Sequence, residues 1–198
     1  MHAYMKGIAS FFGIKTPVRR AILKAHLAIH GGPPLEELPS IARSAFAQPE
    51  REWHYVAVDL LMKEARKLGP AHLPLVEELI ITKSWWDTVD ALAANVAGVI
   101  LKGHPKEVAK WNKRWIASPD LWLNRTAILF QLKWKEDTDR ELLFANIRKH
   151  AAHPDFFIRK AIGWALRAYA ETGPDAVKTF VKVTRLAPLS MREALRKL

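Results

Sequence analysis

The sequence predicts an all-α fold, a right-handed α–α solenoid of HEAT-like repeats with a concave face, and three observations carry that prediction. Almost every segment has the helical period rather than strand alternation. Proline and glycine breaks fall where helix chemistry places boundaries. Aromatic residues recur at Trp53, Trp86, Trp122 and Phe157, intervals of about 33 to 36 residues that suit two helices per unit. An ordinary helical bundle is the alternative, because the repeat is degenerate.

Taken in order, Thr16-Pro17 opens the first long helix, and Gly31-Gly32-Pro33-Pro34 ends it. Each aromatic then opens an apolar helix: Val56 to Leu61 follows Trp53, Val89 to Ala93 follows Trp86, Arg125 to Phe130 follows Trp122, and Lys160 to Leu166 follows Phe157. Lys102-Gly103-His104-Pro105 interrupts the second of these. Ser118-Pro119, His153-Pro154 and Gly173-Pro174 each place proline at an expected first helical position. A last helix opens in Leu189 to Glu193.

Composition narrows the function. With 49% hydrophobic and 26% charged residues the chain is expected to be one globular domain over 1–198, not a disordered segment. A net charge of +11 favours a polyanion as partner, nucleic acid before membrane, with solubility alone as the plain alternative. The absence of cysteine excludes thiol catalysis and thiolate metal sites, and suits a reducing cytoplasm. Met1 to Lys6 lacks the apolar core of a signal peptide, and no apolar run is long enough to span a bilayer. A cytoplasmic, monomeric protein is expected, without cofactor.

The stretch with most chemical content is Lys83-Ser84-Trp85-Trp86-Asp87-Thr88-Val89-Asp90. Ser84 and Asp87 have the spacing of a capping box. Trp86 and Asp90, four apart, project from one side of an otherwise small and apolar helix. A carboxylate there is costly unless a neighbour uses its charge. Arg125 and Trp164, on the two following repeat helices, also break the apolar pattern. Arg125 could fork onto a phosphate or simply pair with Asp90; Trp164 could offer a face to a sugar or be core, with Gly163 leaving it room. His26 and His30 share a helix face but lack a third metal ligand, so no metal site is expected.

These residues resemble a known family. The Lys83–Asp90 block, Ala127 to Lys133 and Phe156 to Arg167 are similar to the corresponding blocks of the AlkD-like DNA alkylation-repair glycosylases. The likeness extends from Tyr4-Met5-Lys6 and Gly13 to Pro17 through Leu186 to Ser190. It implies a HEAT-like solenoid that hydrolyses the N-glycosidic bond of cationic N3- and N7-alkylated purines in double-stranded DNA, leaving the base stacked. Asp90 would be the catalytic carboxylate, Trp86 and Trp164 the indoles around the deoxyribose, and Arg125 a phosphate-binding arginine. Thr16, Arg20 and Arg167 would be lesser DNA contacts. Lys15 replaces a neutral polar residue, which would exchange a base contact for a phosphate contact. Compared with the family, a preceding N-terminal helix and part of the C-terminus look shortened. Two other functions use much of the same sequence: a DNA-lesion-binding solenoid without catalysis, and a protein-binding scaffold.

Overall fold

The computed structural model describes residues 2–5 and 7–198, so Lys6 of the Tyr4-Met5-Lys6 block lies outside the described residues. Among them the chain is all-helical. In order come α1 (Thr16–His30), α2 (Leu38–Ala47), α3 (Arg51–Glu64), α4 (Leu73–Ile81) and α5 (Trp86–Leu92). A π-helical turn (Ala93–Ala97) carries α5 into α6 (Gly98–Gly103). Then follow α7 (Pro105–Ile116), α8 (Leu121–Leu129), α9 (Arg140–His150), α10 (Phe156–Tyr169), α11 (Pro174–Val183) and α12 (Pro188–Ala194). Short 3-10 turns occupy His2–Met5, Pro70–His72 and Lys135–Asp137. No described helix is long and apolar enough to cross a membrane.

The helices stack in two layers, as the period of the aromatics predicts. The second members of the pairs touch in sequence, α3 on α5, α5 on α8, α8 on α10 and α10 on α12. Their partners α2, α4, α7, α9 and α11 pack behind them, and one continuous core fills the space between the layers. Leu61, Leu73, Ile80, Leu92, Trp115, Phe130, Ile147 and Leu166 are wholly buried there. The result is a helical solenoid whose second-helix layer presents one long face.

Helix starts follow local chemistry, with two adjustments to the expected boundaries. Pro17 and Pro174 lie in the first turns of α1 and α11, where a missing N–H is harmless. Pro119 and Pro154 instead precede their helices. Asp120 and Asp155 take the cap, each carboxylate accepting two backbone N–H groups of the first turn, which satisfies donors that proline cannot. The capping box expected at Ser84 and Asp87 is not formed. Lys83 reverses the chain at φ 44, Trp85 occupies the cap, and Ser84 Oγ donates back to the Ile80 carbonyl.

Two glycines set how closely the layers approach. A Cβ on Gly98 would stand 2.1 Å from the Phe130 carbonyl oxygen, and Trp134 Nε1 donates to the Gly98 carbonyl at 3.0 Å. Only a residue without a side chain fits where α6 meets the end of α8. Gly98→Ala is expected to destabilise the fold by about 1–3 kcal/mol through overpacking, measurable as a lower urea midpoint. Gly163, expected to leave space for Trp164, serves a different neighbour. A Cβ there would meet Glu193 Cβ at 2.4 Å, so the glycine admits α12 against α10.

The N-terminal segment is tied back to the layer. Phe12, Gly13 and Ile14 each donate a backbone N–H to the buried Glu52 carboxylate, at 2.9–3.1 Å. Met5 and Ala9 bury themselves against Trp85, with Trp86, Trp122 and Phe157 around them. This small aromatic core lies over the first turns of α5, α8 and α10.

Candidate functional site

α5 is held from below by a buried ionic network, and that network decides where Trp86 and Asp90 point. Arg51 is fully buried at the start of α3. Its Nη1 donates to the Lys83 carbonyl at 2.8 Å; its Nη2 donates to Asp87 Oδ1 at 2.5 Å and to Thr88 Oγ1 at 2.7 Å. Tyr55 hydroxyl donates to the other Asp87 oxygen at 2.5 Å. Burial, with Asp87 beside it, pushes the Tyr55 phenol well above its ordinary value, which fixes it as a donor. Asp87 therefore has a structural task, as expected, but performs it through Arg51 and Tyr55 rather than through Ser84.

His54 completes the network. It is wholly buried, stacks on Phe46, lies 3.1 Å from Arg51 Nη1 through Nδ1, and contacts the Gln48 carbonyl at 3.0 Å through Nε2. With Nδ1 facing a donor and Nε2 facing an acceptor, the neutral ring carries its proton on Nε2. Burial lowers its pKa to about 4 from an ordinary 6.5. An unfolded chain therefore binds the extra proton first. Stability is complete above pH 6.5 and is lost as pH falls from 6.5 through 4, by roughly 3 kcal/mol at most. Unfolding free energies measured between pH 7 and pH 4 should show this slope, and the ring should titrate near 4 by NMR.

Above this base Asp90 lies on the exposed side of α5. Its two oxygens accept from Arg125 Nε and Nη2, both at 2.7 Å. Bidentate donation needs lone pairs on both oxygens, so the geometry is that of the carboxylate. Burial raises the Asp90 carboxyl above its ordinary value; Arg125 pulls it down, and Asp87 adds a smaller upward push. The side chain keeps 16% of its surface open, against 1% for Arg125. Asp90 is thus paired but not sealed.

Arg125 is placed otherwise than a free phosphate clamp. Its Nη1 donates to the Phe157 carbonyl, its remaining forks hold Asp90, and its Cζ lies 5.5 Å from the centre of the Trp164 ring. A buried guanidinium with these partners positions Asp90; it is not displayed to a phosphate in this state. The pairing and the half-buried Trp164 make Asp90, Arg125 and Trp164 one contiguous group. Lys160 Nζ also approaches the Trp164 ring, at 5.7 Å. Trp86, one turn before Asp90 on α5, is half-buried, with Tyr4 edge-on at 5.9 Å.

The remaining expected contacts flank this group. Lys15 and Thr16 are exposed at the start of α1. Arg20 pairs bidentately with Asp59, its side chain 58% exposed, whereas Arg19 is buried between Asp59 and the Tyr55 ring. Arg167 and Lys160 share Glu193, at 2.9 and 2.8 Å. Lys160 chiefly holds the Glu193 carboxyl below its ordinary value, with burial opposing. The His26 and His30 rings lie 4.6 Å apart on α1, tilted by 39°, and among the described residues no group of three or more His, Cys, Asp or Glu could hold a metal.

Tyr4, Arg51 and Tyr55 are the site residues that sequence reasoning missed. Tyr4 stands ahead of the first periodic helix, where no pattern signals it, yet Asp87 and Asp90 lie near enough to help burial push its phenol up to about 12. Arg51 reads as an ordinary helix-start cation. Only its wholly buried position reveals its role.

The arrangement can stabilise a cation: a partly open carboxylate grouped with Arg125 and Trp164, and one helical turn from a second indole, Trp86. The family model described as "DNA alkylation repair enzyme" matches residues 1–198. Among solved structures, a "Predicted DNA alkylation repair enzyme from Enterococcus faecalis" superposes with TM-score 0.92 at 33% identity, covering 100% of this chain and 92% of that one. Among curated proteins, none matches the sequence.

Proposed function

We propose, on the premise that the chain belongs to the DNA alkylation repair enzyme family, that it is a DNA glycosylase releasing cationic N3- and N7-alkylated purines from duplex DNA. The observation that carries this reading is the Asp90 carboxylate, held bidentately by Arg125 and still partly open to solvent, one helical turn from Trp86 and joined to Trp164 through Arg125.

One carboxylate suffices because the lesion already carries the positive charge. Glycoside hydrolysis generally needs an acid to protonate the leaving group and a second carboxyl opposite it. An N3- or N7-alkylated purine leaves with the electron pair of the broken C1′–N9 bond and departs neutral, so no acid is required. Positive charge then grows on the deoxyribose. Asp90 stabilises it and orients the water that adds to C1′, whose proton passes by way of the carboxylate to solvent. The products are the free alkylpurine and an abasic sugar. Trp86 and Trp164 would hold the sugar between ring faces that favour a cation.

Release of 7-methylguanine or 3-methyladenine from methylated duplex DNA, followed by chromatography, tests the reading. Neutral uracil and hypoxanthine should remain in place.

A second reading, lesion binding without excision, is favoured by one feature. The Asp90 charge is already matched by Arg125. Tight binding of methylated DNA with no base released would select it.

A further inference from the structure

We propose that a second anion site, formed by Arg66, Lys102 and Lys133, takes the phosphates of the DNA strand opposite the lesion. This rests on the reading of the chain as a glycosylase acting on duplex DNA at Asp90, and adds to it a partner strand and the residues that hold it.

The observation behind it is the π turn. Asp90 and Lys102 are twelve residues apart in the continuous run from α5 to α6. At about 100° per residue an uninterrupted α-helix would turn Lys102 roughly 120° away from Asp90. The Gly98 N–H instead donates to the Ala93 carbonyl, five residues back. A π turn takes up one extra residue, which returns Lys102 to within roughly 20° of the Asp90 line. Gly98, which no larger residue can replace without meeting Phe130, holds the rotated half of the helix in place.

The rotation brings Lys102 into a ring of cations. Arg66 follows the end of α3, Lys102 lies in the last turn of α6, and Lys133 follows α8; all three are exposed and line one open cavity of about 540 Å³. Lys133 Nζ donates to the neutral Asn95 Oδ1 at 2.5 Å, and Lys102 pairs with Asp137, whose side chain is 67% exposed. Three positive charges therefore face one weakly held carboxylate. That surplus suits phosphate oxygens.

Distance assigns the strand. With one residue taken up by the π turn, the rise of about 1.5 Å per residue puts Lys102 roughly 16–17 Å along the helix axis from Asp90. Phosphates of one strand advance about 3.4 Å each along the duplex axis, so with α5 and α6 lying across the duplex this span reaches the opposite backbone and not the adjoining phosphate of the reacting strand. With the reacting sugar at Asp90, the opposite backbone falls at the Arg66–Lys102–Lys133 end.

The test compares R66Q/K102Q/K133Q with the wild-type chain on undamaged DNA, using a duplex and its single strand over a range of salt. All three residues are exposed, and an unchanged thermal melt establishes that the variant is folded. The expected result is a duplex affinity lower by about ten- to a hundredfold and a log–log salt slope shallower by about 2 to 3, with single-strand affinity within twofold of wild type. An unchanged duplex slope, or an equal loss on single strand and duplex, overturns the second-strand site. Because no excision is measured, that failure is separate from failure of the glycosylase reading, which wild-type protein unable to bind duplex would bring down together with this site.

Discussion

Asp90→Asn is expected to lower release of 7-methylguanine from methylated duplex DNA by about 10²–10³-fold, the usual cost of removing a preorganised charge aimed at the transition state. The carboxylate stands one helical turn from Trp86 and pairs with Arg125, which lies against Trp164, and the proposed chemistry asks it to face a growing cation. The amide keeps the shape and loses the charge. It also turns one N–H₂ toward the Arg125 donors, leaving a buried guanidinium partly unpaired, which is itself destabilising. D90N/R125M separates the two effects. Removing both charges should recover stability lost by D90N, as urea midpoints would record, while excision stays abolished. Excision by folded D90N within tenfold of wild type would remove Asp90 from the chemistry.

Arg51→Met should produce the largest loss of stability, about 3–5 kcal/mol. Arg51 is wholly buried and serves Asp87, Thr88, the Lys83 carbonyl and His54 at once. Methionine fills much of its volume but leaves the Asp87 carboxylate without its cation in a place water scarcely reaches. The Tyr55 hydroxyl and the Thr88 backbone N–H then remain to hold it. R51M/D87N should regain part of the loss, because the stranded charge has gone. Equilibrium urea unfolding measures both. A cost below about 1 kcal/mol would mean that the pair behaves like a surface ion pair. The single variant should also loosen the start of α5, and so the placement of Trp86 and Asp90, although neither contacts Arg51.

Much of this was legible in the sequence because it is written in local terms. Helical period, proline and glycine breaks and aromatics about 35 residues apart are properties of neighbouring residues or of a simple repeat, and they led to the stacked helices. The Trp86–Asp90 pair was legible for the same reason, one helical turn carrying both. Ser84 misled, since its cap pattern depends on a chain direction that Lys83, at positive φ, changes.

What the sequence determined by itself, then, was the helical architecture, the basic character of the chain and a carboxylate standing out of an apolar helix. Only the tertiary structure decided what that carboxylate meets. Arg125 follows it by 35 residues and could as well have faced a phosphate; the stacking of α8 on α5 turns it inward instead. The same holds for Tyr4, for Arg51 beneath Asp87, and for the π turn that aligns Lys102. The physical reason is that helix periodicity is fixed by bonds between near neighbours, whereas charge pairing depends on which surfaces the packed core brings within a few ångströms.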